Sequence, residues 1–212
     1  MTAPAEDLLV RACVDLSRAD PALQAAYEAI GLPVWRSRPV AYETIAKTIA
    51  YQQISVKAAA AIWARVEGAL ETVTAEAVQA STEDDLRALG LSRPKIRHLK
   101  SVAGAILAGD LDLDRVATAE MGAAREELLC VKGIGPWTAE LFLLYARGEP
   151  DAFPVADLGL MEAHKRLSGA ETRMDRAAFT SHAEGWRPWR GVAAHLLWGW
   201  LNAERDKVPG PS

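Results

Sequence analysis

Small and apolar residues recur at three- and four-residue intervals through most of the chain, and the strict alternation of a half-buried strand is hard to find. Ala5–Arg18, Pro21–Ile30, Val40–Gln52 and Val56–Leu70 carry this spacing, with ordinary helix formers between the apolar positions. Ser81-Thr82-Glu83-Asp84-Asp85 reads as an N-cap cluster opening a short helix that Gly90 stops. Pro94 suits the first turn of a longer helix running to about Leu107. After a loop around Gly109–Asp114 the pattern predicts Met121–Val131, a turn at Gly133–Gly135, and Trp137–Arg147. Asp157–Leu167, Asp175–Glu184 and Pro188–Ala203 complete a set of about ten helices, and the fold class is all-α. No internal repeat, long linker or low-complexity stretch interrupts them.

Composition narrows this picture. With 212 residues, 50% apolar and 25% charged, the chain can bury a sizeable core as one large domain or two small lobes. No apolar run approaches the roughly 20 residues that span a bilayer. The start, MTAPAEDLLV, lacks a basic region and carries acids early, so a cytoplasmic protein with no membrane partner is expected. Cys13 and Cys130 provide neither a disulfide framework nor a four-thiolate cluster, and no metal ligand set or organic cofactor is expected. A net charge of −4 argues against coating nucleic acid by bulk attraction, yet SRPKIRHLK, with Arg93, Lys95, Arg97, His98 and Lys100, is a local basic stretch.

The turn V-K-G-I-G joins two helices sharply. A glycine supplies backbone angles that other residues avoid, and Ile134 can plug the space between the helices. Gly133 and Gly135 also allow close backbone approach to another molecule, and amides at the following helix start favour an anion such as a phosphate. An ordinary glycine-capped helix connection fits the same residues.

An apolar run, G-I-G, x-W-T-A and a second apolar helix, followed by the Asp-ended FPVAD, resembles the helix-hairpin-helix (HhH-GPD) DNA glycosylase superfamily. Three further stretches, IAYQQISVKAA (Ile49–Ala59), GLSRPKIRHLKSVA (Gly90–Ala103) and WRPWRGVAAHLLW (Trp186–Trp198), resemble its 3-methyladenine DNA glycosylase II branch from about Arg38 to Trp200. The resemblance implies a single glycosylase domain over 1–212, two-lobed and helical, with the active-site cleft between lobes. The central lobe would span about 45–130, and the second would combine the N-terminal helices with about 131–205.

The activity so implied is monofunctional hydrolysis of the N-glycosidic bond of alkylated purines in double-stranded DNA: 3-methyladenine, and also 7-methylguanine or ethenoadenine if the pocket admits them. A monomer that flips the damaged base is expected. Asp157 falls on the catalytic acid, where a carboxylate stabilises positive charge on the sugar or orients water; it could equally cap the helix at Leu158. His164, Glu162 and Lys165 on that helix read as surface or supporting residues. Trp137 and Trp198 match base-pocket positions, and core packing is the other reading of each; Trp35, Trp63, Trp186, Trp189 and Trp200 read as core or lobe-interface residues. Gln53 falls on the wedge that fills the gap left by the flipped nucleotide, or is a polar residue at a helix end. Lys132, Gly133, Ile134, Gly135 and Thr138 of the hairpin, with Arg93 and Lys95, are the implied DNA contacts, although a basic helix face is also simply solvated.

Bifunctional relatives place a lysine where this chain has Trp137, so no lyase activity is expected. Some relatives hold a monovalent cation on the hairpin carbonyls. Two departures stand out: with Ile49 so early, a shorter, all-helical member without the sheet domain of fuller ones is expected, and Leu141 occupies a pocket position that is often aromatic. A non-catalytic hairpin protein that senses damage, or a mismatch or uracil glycosylase on the same fold, are the alternative readings.

Overall fold

The computed structural model describes residues 4–207, and all regular elements among them are helical. In chain order these are α1 (Glu6–Ala19), α2 (Pro21–Ile30), α3 (Tyr42–Tyr51), α4 (Val56–Leu70), α5 (Ala75–Ala80), α6 (Glu83–Ala88) and α7 (Arg93–Ala108). There follow α8 (Leu113–Thr118), α9 (Met121–Leu129), α10 (Pro136–Phe142), a π-helical turn (Leu143–Arg147), α11 (Leu158–Ser168), α12 (Arg176–Ala183), a 3-10 turn (Glu184–Trp186) and α13 (Arg190–Lys207). None is long and apolar enough to cross a membrane.

The helices α2 and α4 keep the bounds that periodicity predicts, because both have clear start signals: Asp20 with Pro21, and Ser55 whose hydroxyl accepts from Ala58 N–H. The helices α5 and α8 lie where no helix is predicted. Each has six residues, too few to show a period, and each is announced only by a cap: Thr74 accepts from Ala77 N–H, and Asp112 from the N–H groups of Asp114 and Arg115. The expected α6 cap cluster is a capping box between Thr82 and Asp85.

The chain divides into a central unit, Arg38–Arg147, and a terminal unit formed by the residues up to Ser37 and from Gly148 onward. The boundary therefore differs from the lobes expected above. Residues 131–147 belong to the central unit because α10 packs on α3 and α9, and Gln52 Nε2 donates to the Thr138 hydroxyl at 2.9 Å.

In the central unit α3 presents Ile45, Ala46, Ile49 and Ala50 to α4, α7 and α10, a helical stripe with essentially no exposure. Tyr42 is buried beside it and donates to the Leu99 carbonyl at 3.0 Å. The unit's two ends meet where Arg38 N–H donates to the Tyr145 carbonyl at 2.9 Å. The guanidinium of Arg147 is buried and Nη1 donates to Val116 O at 3.0 Å, tying the π turn to α8.

In the terminal unit α1 buries Leu9, Ala12, Cys13 and Leu16 against α2, and α13 packs along α2 and α11. A Cβ at Gly199 would lie 2.6 Å from Ile30 Cδ1, so α13 crosses α2 at a point only glycine fits without displacing that side chain. Asp20 ties this unit together. Its Oδ1 caps α2 through Ala22 N–H at 2.8 Å, while Oδ2 lies 3.0 Å from Trp186 Nε1, 3.1 Å from His164 Nε2 and 2.7 Å from His182 Nε2. His164 is thus buried, which rules out the surface half of its surface-or-supporting reading. Burial pushes the Asp20 carboxyl up, but the hydrogen bonds from His164, His182 and Ala22 outweigh it and hold the group well below the usual carboxylate range.

A carboxyl depressed in the folded chain gives stabilisation that is complete above its unfolded value and is lost as pH falls through the folded one. Asp20→Ala should cost about 3 kcal/mol or more by leaving buried donors unpaired. Asp20→Asn should keep the helix cap yet flatten the loss of stability below about pH 4. Urea denaturation from pH 3 to 8 measures both, and an acid limb unchanged in Asp20→Asn would contradict the assignment.

Candidate active site

The segment FPVADLGL leads through a turn at Val155 and Ala156 into α11. Phe153 and Pro154 are buried, Asp157 N–H donates to Pro154 O at 2.8 Å, and Asp157 is the N-cap with φ −73° and ψ 115°. One carboxylate oxygen, Oδ1, accepts from Gly159 N–H at 2.8 Å, Leu160 N–H at 3.1 Å and the Trp198 indole Nε1–H at 3.3 Å. A Cβ at Gly159 would sit 2.9 Å from that oxygen and 3.8 Å from Trp198 Cδ1, so this glycine lets the cap close beneath the indole. Asp157 is half-buried and the next residue, Leu158, is 64% exposed. Capping and presentation of the carboxylate are one arrangement: the helix start that Asp157 stabilises also fixes its rotamer.

His195 supports Trp198 from one turn earlier on α13. Its Nδ1 lies 2.8 Å from Gly191 O, which sets the Nδ1–H tautomer and leaves Nε2 to accept from Arg36 N–H at 3.4 Å. The imidazole stacks on Trp35 with centroids 4.2 Å apart and meets the Trp198 ring edge to face at 6.0 Å. Burial pushes its pKa down to about 4, helped by the Arg36 charge and opposed by the Gly191 contact. The ring is therefore neutral at pH 7. His195 carries no chemical motif of its own in the sequence, although its place three residues before Trp198 puts both on one helix face.

In the central unit the hairpin runs from α9 through the turn to α10, and Arg125 of α9 forms an ion pair with Glu140 of α10 across it. The two glycines do different work. Gly133 has φ +107°, and a Cβ there would lie 2.9 Å from His98 Cβ and 3.0 Å from His98 Cα, so α7 passes directly against the turn. Gly135 has φ −90°, is exposed, and an added Cβ would meet nothing within 4 Å. Ile134 is buried as the plug the sequence suggests, and its N–H donates to Val131 O at 3.0 Å. A monovalent cation on the hairpin would have to share that carbonyl through its second lone pair. Lys132 is exposed and Trp137 half-buried. Thr138, expected among the DNA contacts, is 1% exposed, and its hydroxyl accepts from Gln52. Leu141 is buried at 5%.

Gln53 sits exposed in the turn between α3 and α4 with φ +58°, an unfavourable angle for a residue with a side chain, next to the partly exposed Ile54 and Val56. The basic stretch is more committed than expected. Lys95 Nζ donates to Ala50 O at the end of α3 at 2.7 Å, its pKa lowered by burial, and Lys100 Nζ donates to the Gln79 and Ser81 carbonyls. Arg93 pairs with Glu83 at 3.1 Å on the surface, while Arg97 is exposed. Lys95 thus braces the helix end that leads to Gln53. Two further groups have no sequence signal: Asp151 receives both Arg187 and Arg190 of WRPWR, and Glu184 pairs with the same two arginines.

A family model described as the HhH-GPD superfamily of base excision DNA repair proteins matches residues 46–188, a span that holds Gln53, the hairpin and Asp157 and ends before Trp198. The chain belongs to the HhH-GPD superfamily. This member is 34% identical over 210 residues to a probable bifunctional transcriptional activator/DNA repair enzyme AlkA of Mycobacterium tuberculosis, covering 93% of this chain and 41% of that protein. It is 30% identical to DNA-3-methyladenine glycosylase 1 of Schizosaccharomyces pombe, over 74% of this chain and 71% of the relative. The solved Schizosaccharomyces pombe 3-methyladenine DNA glycosylase in complex with abasic DNA superposes with a TM-score of 0.81 at 26% identity, covering 94% of this chain and all of that one.

Two outcomes check this geometry. Gly133→Ala should destabilise the chain by about 2 kcal/mol or more through its backbone angle and the His98 contact, while Gly135→Ala should stay within about 0.5 kcal/mol; chemical denaturation separates them. Nitrogen NMR of His195 should find the neutral Nδ1–H form at pH 6, with protonation only near pH 4. A midpoint near 6.5 would contradict the buried stack.

Proposed function

We propose that the chain is a monofunctional DNA glycosylase that removes alkylated purines, 3-methyladenine foremost, from double-stranded DNA, acting as a cytoplasmic monomer and leaving an abasic site. The observation that carries this reading is the Asp157 carboxylate held by two helix N–H groups and the Trp198 indole. Cleaving the bond between base and sugar builds positive charge on the sugar ring, and a fixed carboxylate stabilises that charge without reorganising as the reaction proceeds. A purine alkylated at N3 or N7 already carries positive charge and leaves neutral, so a second acid to protonate the leaving group is unnecessary. The name of the Schizosaccharomyces pombe relative, DNA-3-methyladenine glycosylase 1, supports this substrate class.

The roles of the remaining residues follow. Trp198, pinned at its nitrogen by Asp157, offers an aromatic surface to a cationic base, an attraction of about 0.5–2 kcal/mol; Trp137 is the second base-recognising aromatic. Flipping the base costs a few kcal/mol of unstacking, and Gln53, raised on its left-handed turn, fills the gap left behind. Backbone N–H groups at Gly133 and Gly135, with Lys132 and Arg93, take phosphates, whereas Ile134, expected among these contacts, is committed to the fold by its buried side chain and its N–H bond to Val131 O. Lys95 and Thr138 position these elements rather than touch DNA. Trp137 offers no amine to form an imine with the sugar, which makes the reaction a hydrolysis.

Release of 3-methyladenine from a methylated duplex should fall at least about a hundredfold in Asp157→Asn, with duplex affinity nearly intact. Borohydride should trap no covalent adduct, and strands should break only after alkali. Unchanged release by the variant would overturn the role of Asp157. Binding without release of any alkylated base, or release confined to uracil or mismatches, would favour a damage sensor or another glycosylase.

A further inference from the structure

We propose that Asp20, His164 and His182 form a binding site for a divalent first-row metal ion, zinc in the first instance. The Nε2 atoms of both imidazoles lie 3.1 and 2.7 Å from the same oxygen, Asp20 Oδ2, and one ligand atom from each residue lies within 4.8 Å of the other two. Zinc bonds to nitrogen and oxygen are about 2.0–2.2 Å, so tetrahedral ligand atoms stand roughly 3.4 Å apart. The two Nε2–Oδ2 separations need only small outward movement to reach that spacing. Two imidazoles and one carboxylate form a donor set suited to zinc, with water completing the fourth position.

The surroundings are those of a held ligand set. Oδ1 of Asp20 is fixed by Ala22 N–H and Oδ2 also accepts from the Trp186 indole, contacts that orient a ligating carboxylate. His164 is buried, with the Phe179 and Trp186 rings 5.8 and 5.7 Å away, while the His182 side chain is 38% exposed and gives an ion a way in from solvent. The three residues come from the cap of α2, from α11 and from α12, so an ion would pin three helices of the terminal unit. The histidines stand 144 and 162 positions from Asp20, so no metal-ligand spacing is visible in the sequence.

Full-length, tag-free protein stripped with a chelator and titrated with Co2+ should develop visible ligand-field bands at one equivalent. Zn2+ should displace them and raise the thermal midpoint. His182→Gln keeps an amide that can donate to Asp20 but is a poor metal ligand. It should fold as shown by circular dichroism, bind Zn2+ at least tenfold more weakly and lose the cobalt bands. The absence of bands and of any Zn2+-dependent shift in the wild-type chain would overturn the site, leaving a carboxylate shared by two imidazole N–H donors. Binding unchanged in His182→Gln would overturn it equally, by locating the ion elsewhere.

Discussion

Three N–H groups converge on a single oxygen of Asp157: two are the opening amides of α11 and the third is the indole of Trp198. The convergence links elements 41 residues apart in the sequence and couples the helix start to an aromatic ring. It also explains the neighbours. Gly159 has no side chain because one would meet Oδ1, and His195 stays neutral beneath Trp198 because Trp35 and the α13 backbone enclose it. A neutral ring there keeps a second charge away from a carboxylate whose proposed task is electrostatic. Stability and the proposed chemistry are served by the same hydrogen bonds, so capping and catalysis are not competing explanations of this residue.

The hairpin divides its labour differently. Gly133 is required by the fold, since its backbone angle and the passage of α7 leave no room for a side chain. Gly135 is required by nothing in the fold, and its exposed, unobstructed backbone is where a role in approaching another molecule must be sought. The same distinction sorts the basic stretch. Lys95 and Lys100 cap carbonyls at the ends of α3 and α5, which leaves Arg97 and the surface pair of Arg93 as the cations of that stretch that face solvent.

What could be read from the sequence was local. Caps followed by apolar periods located α2 and α4 to the residue, and the Asp-Leu-Gly-Leu run announced the cap of α11. The six-residue helices α5 and α8 were hidden because a period needs more than two turns to show. The resemblance picked out Asp157 and Trp198 separately, but their hydrogen bond, the Asp20 cluster and the inward turn of Lys95 depend on which helices pack together. The lobe boundary was misplaced for the same reason: α10 is adjacent in sequence to the terminal unit's segments but packs on α3. Thr138 illustrates the limit, since a threonine at the start of a helix is polar on paper and is sealed here by Gln52.

In the proposed function, the charge of Asp157, held in place by its three donors, is complementary to a positively charged sugar. Affinity for two duplexes tests it most directly: one carrying a cationic pyrrolidine in place of the damaged nucleoside's sugar, the other a neutral tetrahydrofuran of the same shape. The wild-type chain should prefer the cationic duplex by about a hundredfold or more, as a transition-state mimic, and Asp157→Asn should lose that preference while keeping its affinity for the neutral one. Equal affinity of the wild-type chain for both duplexes, or a preference that survives in Asp157→Asn, would contradict it.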